Sequence, residues 1–155
     1  MPQLVKGGKY VFGWSRISPN GKIKIPDEAS TEYKLKTNYN LILLNGSKKS
    51  GGFSISKPEI LKSSSIGLLL ENLPELIKFE IPEGQIIEYR NRKFCWTKIN
   101  EKGYFALSSE ALKIYDVKIN DKLVVGRGSY LAIAFIAKGP IFKEAKKHPE
   151  LILFE

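Results

Sequence analysis

The chain has 155 residues, enough to bury about two-thirds of the surface that the unfolded chain exposes. Its net charge of +9 indicates a polyanionic partner such as nucleic acid, and no basic tail carries that charge, because it divides into +5 for residues 1–80 and +4 for residues 81–155. The single cysteine excludes an internal disulfide and predicts a cytoplasmic protein, and the most apolar stretch, residues 131–137, is too short to span a membrane.

Two strands joined by a turn open the predicted fold. Aromatic and β-branched residues alternate with polar ones from Tyr10 to Ile17, which is typical of a strand. The tetrapeptide Ser18-Pro-Asn-Gly21 then predicts a hairpin turn, because Asn and Gly tolerate a positive φ. A short strand over residues 22–25 follows the turn.

A short helix comes next. Pro26-Asp-Glu28 suits a first helical turn, where a proline costs nothing and acids meet the positive end of the helix dipole. Ala29 and Tyr33 are spaced i, i+4, so they lie on one face, and we expect that face to meet the core.

Two further strands and a second helix complete the first half. Strands are predicted over residues 41–44 and through Phe53, with a turn at Gly46-Ser47 between them. Pro58 is expected to open the second helix. The closing segments of the two halves, residues 74–80 and 149–155, share the sequence Pro-Glu-Leu-Ile and are predicted to be edge strands or docking tails.

The second half repeats the first. Shifted by 82 residues without a gap, the chain matches itself at fifteen positions between Gln3/Gln85 and Pro58/Pro140, where composition alone would give roughly four or five. The matched pairs include Trp14/Trp96, Gly21/Gly103, Glu28/Glu110, Tyr33/Tyr115, Gly46/Gly128, Ser47/Ser129 and Phe53/Phe135. Both glycines of the Gly21/Gly103 pair are therefore expected to have positive φ.

These matches predict two diverged β-β-α-β-β-α units, residues 1–80 and 81–155, in one compact domain. The second unit has its own strand from Lys93 to Ile99, a turn at Asn100–Gly103 and a helix that Ser108 can cap. Its turn is expected at Gly128-Ser129. The expected fold is mainly β with short helices (α+β), with both units sharing one pseudo-two-fold β-barrel core.

One stretch of each half resembles a known domain. The sequences Gly21-Lys-Ile-Lys-Ile-Pro-Asp-Glu-Ala29, Tyr33-Lys-Leu-Lys36 and Asn40-Leu-Ile-Leu-Leu44 resemble the swapped-hairpin domain of AbrB, SpoVT and MazE-type regulators. The second half keeps the glycine, the helix and the strand between Gly103 and Val125. The resemblance covers under a third of the chain, and it implies interleaved hairpins that leave no exposed strand edge.

The resemblance also implies a DNA-binding transcriptional regulator, with double-stranded DNA as its partner. The basic residues that it places near the paired loops are Arg16, Lys22, Lys24, Lys98 and Lys102. The family carries arginines on its first helix, and the matching positions here are Ser30, Thr31, Leu112 and Lys113. Because phosphate neutralisation supplies most of the affinity for DNA, we expect modest affinity and a poor sequence preference.

The alternative is a non-catalytic binding module on the same fold, for a protein partner as in antitoxins or for an anionic small ligand. The loop from Gly46 to Gly52 has the glycines and lysines of a phosphate loop, but it lacks Gly-Lys-Ser/Thr and precedes a strand, so a nucleotide P-loop is not supported. A hairpin turn explains it most simply. Backbone amides and hydroxyls there could nevertheless hold an anion. The candidate anion-binding residues are Ser47, Lys48, Lys49, Arg127 and Ser129.

The sequence predicts no catalytic site, metal site or cofactor, and therefore no enzyme. His148, the only histidine, has no partner at ligand spacing. Cys95 is expected to be a buried, inert thiol. Trp14 and Trp96 could be exposed stacking platforms for bases or core side chains, and we favour the core. The expected assembly is a monomeric pseudo-dimer or a homodimer.

Overall fold

The computed structural model describes residues 10–129 and 132–155, which form a mixed α+β fold. The first half contains β1 (Val11–Arg16), β2 (Lys22–Lys24), α1 (Asp27–Glu32), β3 (Asn40–Asn45), β4 (Phe53–Ser56), α2 (Pro58–Leu61), α3 (Ser65–Leu70) and α4 (Pro74–Ile77). The second half contains β5 (Ile87–Tyr89), β6 (Arg92–Lys98), β7 (Tyr104–Ala106), α5 (Ser109–Ile114), β8 (Lys122–Ser129), β9 (Ala132–Ile136), α6 (Pro140–Ala145) and β10 (Leu153–Phe154). The predicted β-β-α-β-β-α order therefore occurs in both halves.

Eight strands form one mostly antiparallel sheet in the order β10-β1-β8-β9-β4-β3-β6-β5, and β2 and β7 form a separate two-stranded ribbon. Within the described residues this sheet has two edges, so the predicted closed barrel is wrong. The sheet stays open because the outer edges of β1 and β6, which a closed barrel would have to join, are covered by two different short segments. Trp14 donates its amide to the Ile152 carbonyl (2.9 Å), whereas Phe94 pairs with Ile87.

Strands of one half pair with strands of the other, as expected. These pairs are β1 with β8, β6 with β3, β4 with β9, and β2 with β7. The strand registers agree with the repeat. Trp14 lies opposite Val124, and its repeat mate Trp96 lies opposite Ile42, which is the repeat mate of Val124. In the ribbon, Ile23 lies opposite its own mate Phe105, so the pseudo-two-fold axis passes between them. The boundary between residues 80 and 81 stays a prediction.

The β8–β9 hairpin does not follow the register that the gapless repeat predicts. Leu43 lies opposite Ile55, whereas its mate Val125 lies opposite Phe135, two residues short of the position that the repeat predicts. A shift of two residues leaves the inward faces unchanged, because side chains alternate with a period of two. The shifted register of this hairpin also makes the predicted turn at Gly128-Ser129 wrong, because β8 continues through a bulge to Ser129.

The main core lies between the sheet and a layer formed by the ribbon, α1 and α5. Ala29 and Tyr33 are buried there, so the predicted core face of α1 is confirmed. Their repeat mates Ala111 and Tyr115 are buried as well. The second helix of this layer is capped as predicted, because the Ser108 Oγ accepts a hydrogen bond from the Ala111 amide (3.0 Å).

The second helices cover the opposite face of the sheet. Pro58 and Pro140 open α2 and α6, as predicted. Two separate apolar clusters result: α2, α3 and α4 cover β3 and β6, and α6 with the C-terminal segment covers β1, β8 and β9. None of the helices within the described ranges is long and apolar enough to cross a membrane.

Both tryptophans belong to these outer clusters. Trp14 is buried, and its ring meets the Phe142 ring edge-on with centroids 5.3 Å apart. Trp96 is half-buried against Phe79 and donates its indole N–H to the Ile81 carbonyl (2.8 Å). The core interpretation is therefore confirmed for Trp14, whereas Trp96 packs against its cluster and stays partly exposed.

The two identical Pro-Glu-Leu-Ile segments differ in structure. Residues 74–77 form helix α4, so the edge-strand prediction is wrong for the first half. Residues 149–152 lead into β10, where Leu153 lies opposite Trp14 in parallel pairing at the edge of the sheet. The prediction of an edge strand is therefore correct for the second half only.

Candidate functional site

Two glycine turns position the ribbon. Gly21 has a φ of +81° and Gly103 has a φ of +84°, so the predicted positive φ is confirmed at both. The Gly21 carbonyl accepts from the Leu107 amide (3.0 Å), and the Gly103 carbonyl accepts from the Ile25 amide (2.9 Å). These two hydrogen bonds are equivalent in the repeat, and they hold the two turns at opposite ends of the ribbon.

Two of the five residues predicted to contact DNA already have partners within the protein. The Arg16 Nε donates to a Glu155 carboxylate oxygen at 2.9 Å. The Lys24 Nζ lies 3.3 Å from the Asp27 carboxylate and 5.2 Å from the centre of the Tyr104 ring. Both cations are therefore partly neutralised before any ligand arrives.

The other three, Lys22, Lys98 and Lys102, are exposed. Their amines make no hydrogen bond or ion pair with any residue in the described part of the chain. They do not lie together: Lys22 stands at one end of the ribbon, and Lys102 lies in the turn at the other end. Lys98 ends β6, and its amide donates to the Glu83 carboxylate (2.9 Å). Acidic groups therefore lie beside the predicted basic face.

A pocket of about 400 Å³ lies at the C-terminal end of α1, and we call it the first basic pocket. It is lined by Glu32, Tyr33, Lys34, Lys57, Ile60 and Arg127. The Arg127 Nε donates to one Glu32 carboxylate oxygen (2.7 Å), and its Nη2 donates to the other. This two-point hydrogen bonding raises the pKa of Arg127.

Other groups of the first basic pocket are also engaged. The Lys57 Nζ donates to the Lys34 carbonyl (3.4 Å) and lies 5.7 Å from the centre of the Tyr39 ring. The Tyr33 hydroxyl donates to the Ala132 carbonyl (3.0 Å). Burial, with a smaller contribution from the Glu32 carboxylate, raises the pKa of Tyr33 to about 12, so the phenol is neutral near pH 7.

A second pocket, of about 180 Å³, lies at the C-terminal end of α5, and we call it the second basic pocket. Its lining includes Asn45, Gly46, Ser47, Lys48, Gly51, Gly52, Lys93, Ile114, Tyr115, Asp116, Ala137 and Lys138. The amines of Lys48, Lys93 and Lys138 form no hydrogen bond or ion pair with the residues that the structure describes. Asp116 supplies the one carboxylate among these lining residues.

Backbone hydrogen bonds bring those three lysines together from separate elements. The Lys93 amide donates to the Asn45 Oδ1 (2.9 Å), which ties β6 to the end of β3. The amides of Ala137 and Lys138 both donate to the Ser50 carbonyl (3.0 Å each), which ties the segment after β9 to the β3–β4 loop. The arrangement therefore depends on pairing between the two halves.

The two pockets are related by the pseudo-two-fold axis. The matching lining pairs are Glu32/Ile114, Tyr33/Tyr115, Lys34/Asp116 and Arg127/Asn45. The helices at the two pockets, α1 and α5, end alike, because Lys34 (φ 54°) and Asp116 (φ 55°) both adopt the left-handed conformation that closes a helix. Each pocket has three cations and one carboxylate among its lining residues, although the cations stand at different positions of the repeat.

The residues predicted to bind anions are divided between the two pockets. Ser47 and Lys48 line the second basic pocket, whereas Arg127 lines the first. Lys49 is exposed in the loop and lines neither. The backbone of Ser129 belongs to β8, and its side chain lies outside the described part of the structure.

Sequence reasoning missed Lys34, Lys57, Lys93 and Lys138 as site residues. Lys93 and Lys138 belong to the second half, and they reach the loop of the first half only because β6 pairs with β3 and β9 pairs with β4. No local pattern marks them. The repeat could have been used to find them, since it predicts which strand ends meet.

Other reactive side chains lie away from these pockets or are shielded. Cys95 is buried, with its Sγ 3.5 Å from the Tyr115 hydroxyl, and burial raises the pKa of the thiol to about 11. His148 contacts two carboxylates, those of Glu150 (2.7 Å) and Glu144 (3.5 Å). No group of three His, Cys, Asp or Glu side chains in the described ranges is placed to hold a metal ion.

No protein-family model matches the chain, and no curated protein matches it. The swapped-hairpin resemblance therefore depends on the residues quoted above.

Proposed function

We propose that this protein is a non-catalytic binding module for small phosphate-bearing anions, with its basic pockets as the candidate sites. The observation that carries the proposal is the repetition of a basic pocket at two positions related by the pseudo-two-fold axis. The described lining residues give each pocket a formal charge of +2, from three cations and one carboxylate. A concave site with an excess of one sign of charge concentrates counter-ions.

The chemistry of the lining favours phosphate groups. Lysine amines are compact point charges that suit phosphate oxygens, and Lys48, Lys93 and Lys138 all line the second basic pocket. The volume of the second basic pocket, about 180 Å³, is below the roughly 300 Å³ of pockets that hold drug-sized ligands. The ligand is therefore small, of the size of inorganic phosphate or a short phosphate ester.

Thermal unfolding with added phosphate tests the proposal. A ligand that binds only the folded state raises Tm by mass action, so inorganic phosphate should raise Tm above the value in chloride of equal ionic strength. The double variant Lys93→Gln/Lys138→Gln should lose most of that rise. Lys36→Gln/Lys118→Gln is the matched control, because it removes the same charge from exposed repeat mates outside both pockets. Equal Tm values in phosphate and chloride would reject the proposal.

A second candidate is a cytoplasmic, DNA-binding transcriptional regulator of the swapped-hairpin type. Two observations favour it. Hairpin strands of one half pair with those of the other, and the amines of Lys22, Lys98 and Lys102, on or beside the ribbon, form no ion pair with the described residues. Since Arg16 and Lys24 are engaged with carboxylates, we expect contact with about three phosphates. The dependence of log affinity on log salt should then have a slope of about −3.

Fluorescence anisotropy with a random-sequence DNA duplex tests this candidate at low ionic strength. The variant Lys22→Glu/Lys98→Glu should weaken binding about equally for all sequences, because phosphate contacts carry no sequence information. Lys36→Glu/Lys118→Glu serves as the control of equal charge. Absence of salt-sensitive binding would reject DNA as the partner and leave the small-anion proposal unaffected.

A further inference from the structure

The two basic pockets differ in how their carboxylates are paired: in the first, the carboxylate forms an ion pair with a cation of the same pocket. The Glu32 carboxylate accepts two hydrogen bonds from the Arg127 guanidinium, in the planar two-point geometry that arginine also forms with phosphate. The guanidinium also lies 5.1 Å from the centre of the Tyr10 ring. Glu32 therefore occupies the two Arg127 donors that could otherwise form a two-point contact with a phosphate group.

The second basic pocket has no such carboxylate at the matching position. The repeat mate of Glu32 is Ile114, which is 38% exposed, and the mate of Arg127 is Asn45, whose Oδ1 accepts from the Lys93 amide. Asp116 lies in the lining, but its carboxylate forms no ion pair with the three lysines. The cations of this pocket are thus not neutralised by contact with the described residues.

We infer that the second basic pocket alone takes a free phosphate-class anion, and that Glu32 acts as a built-in anion that keeps the first basic pocket from binding one. This inference rests on the proposed function and deepens it. It predicts one anion per chain, in spite of the duplicated pocket, and names Lys48, Lys93 and Lys138 as its ligands. It also predicts that removal of Glu32 creates a second binding site.

Nuclear magnetic resonance titration with inorganic phosphate can count and locate the sites. In the unmodified protein, phosphate should shift the backbone amides of residues 46–52 and leave those around Arg127 unchanged. In Glu32→Ala, both sets of amides should shift. Loss of Lys93 or Lys138 should weaken binding at the second pocket about tenfold each, since a hydrogen bond to a charged group contributes on that order.

Two controls keep the result interpretable. Glu101→Ala removes one negative charge from an exposed turn away from both pockets, and it should leave one set of shifts. Glu32→Gln removes the charge of Glu32 while keeping its size, and it should open the first pocket if Glu32→Ala fails to fold. Folding of each variant is checked by circular dichroism.

The outcomes separate this inference from the proposed function. If neither the unmodified protein nor any variant binds phosphate, the proposed function fails, and the inference fails with it. If phosphate binds the unmodified protein but shifts both sets of amides, or if Glu32→Ala and Glu32→Gln still show only one set, the built-in anion is rejected and the binding function stands.

Discussion

The ring of Phe53 stacks on the ring of Phe135, with centroids 4.9 Å apart and planes inclined by 10°. The two residues lie opposite each other in the β4–β9 pair, where strands of the two halves meet in the middle of the sheet. The sequence repeat matches them to each other, whereas the strand registers make Phe135 equivalent to Ile55. The stack therefore joins the two halves close to the pseudo-two-fold axis.

We expect Phe53→Ala to lower the free energy of unfolding by about 3–5 kcal/mol, because it leaves a cavity among three aromatic rings. Urea denaturation followed by circular dichroism measures the change. Leu68→Ala is the control, since Leu68 is 66% exposed and should change stability by about 0.5 kcal/mol or less. If the two variants proved equally stable, the aromatic stack would not be a stabilising contact.

Alanine at the two mated glycines should have unequal effects. Both positions have positive φ, so each substitution should cost about 1 kcal/mol or more. An added Cβ at Gly21 would lie 2.8 Å from the Leu107 carbonyl oxygen, which is backbone, whereas at Gly103 it would meet the flexible tip of Lys24. Gly21→Ala should therefore be the more destabilising variant by thermal unfolding. A change near zero would show that Gly21 is conformationally ordinary.

The C-terminal segment should loosen as pH rises. The hydrogen bond with Glu150, together with the contact to Glu144, raises the pKa of His148 above its ordinary value. The stability contributed by His148 is therefore complete below the unfolded pKa of about 6.5 and is lost as pH rises through the folded value. A backbone hydrogen bond and, next, the hydrogen bond with His148 lower the pKa of Glu150, so the stability contributed by Glu150 is lost as pH falls through its folded value.

Hydrogen exchange of the β10 amides at several pH values measures this effect. His148 is the only histidine in the chain, so His148→Gln should remove the pH dependence of the protection factors, which are taken relative to the intrinsic exchange rate at each pH, between about 6 and 8. An unchanged pH profile in that variant would assign the effect to other groups.

The Cys95 thiol should react only after unfolding. Its side chain is 1% exposed, and burial raises its pKa to about 11, so the reactive thiolate is scarce near neutral pH. A thiol reagent such as Ellman's should label the native protein slowly and the urea-denatured protein at once. Equal labelling rates would contradict the burial of Cys95.

Local signals in the sequence were sufficient for much of the fold. The turn glycines, the prolines that open α2 and α6, and the Ser108 cap each act within a few residues, through φ preference or a single hydrogen bond. Pairing between the halves could also be predicted, because a duplicated unit with open strand edges is stabilised when its copies pair.

Local sequence patterns did not reveal the pockets. Their lysines come from positions that are distant along the chain, such as Lys48 and Lys138, and the strand pairing between halves decides which of them meet. The ion pairs that engage Arg16 and Arg127 likewise join residues 139 and 95 positions apart. Composition and local pattern carry no information on such contacts.

The two Pro-Glu-Leu-Ile segments show where local sequence stops deciding structure. Both begin with the same turn, in which Leu76 donates to Leu73 and Leu151 donates to His148. The first then continues as α4 and buries Leu76 against β3 and β6, whose edge β5 already covers. The second meets the edge of β1, where the Ile152 carbonyl accepts the Trp14 amide, and it becomes a strand. Identical residues therefore fold differently because only the second copy lies beside a strand edge that needs a hydrogen-bond partner.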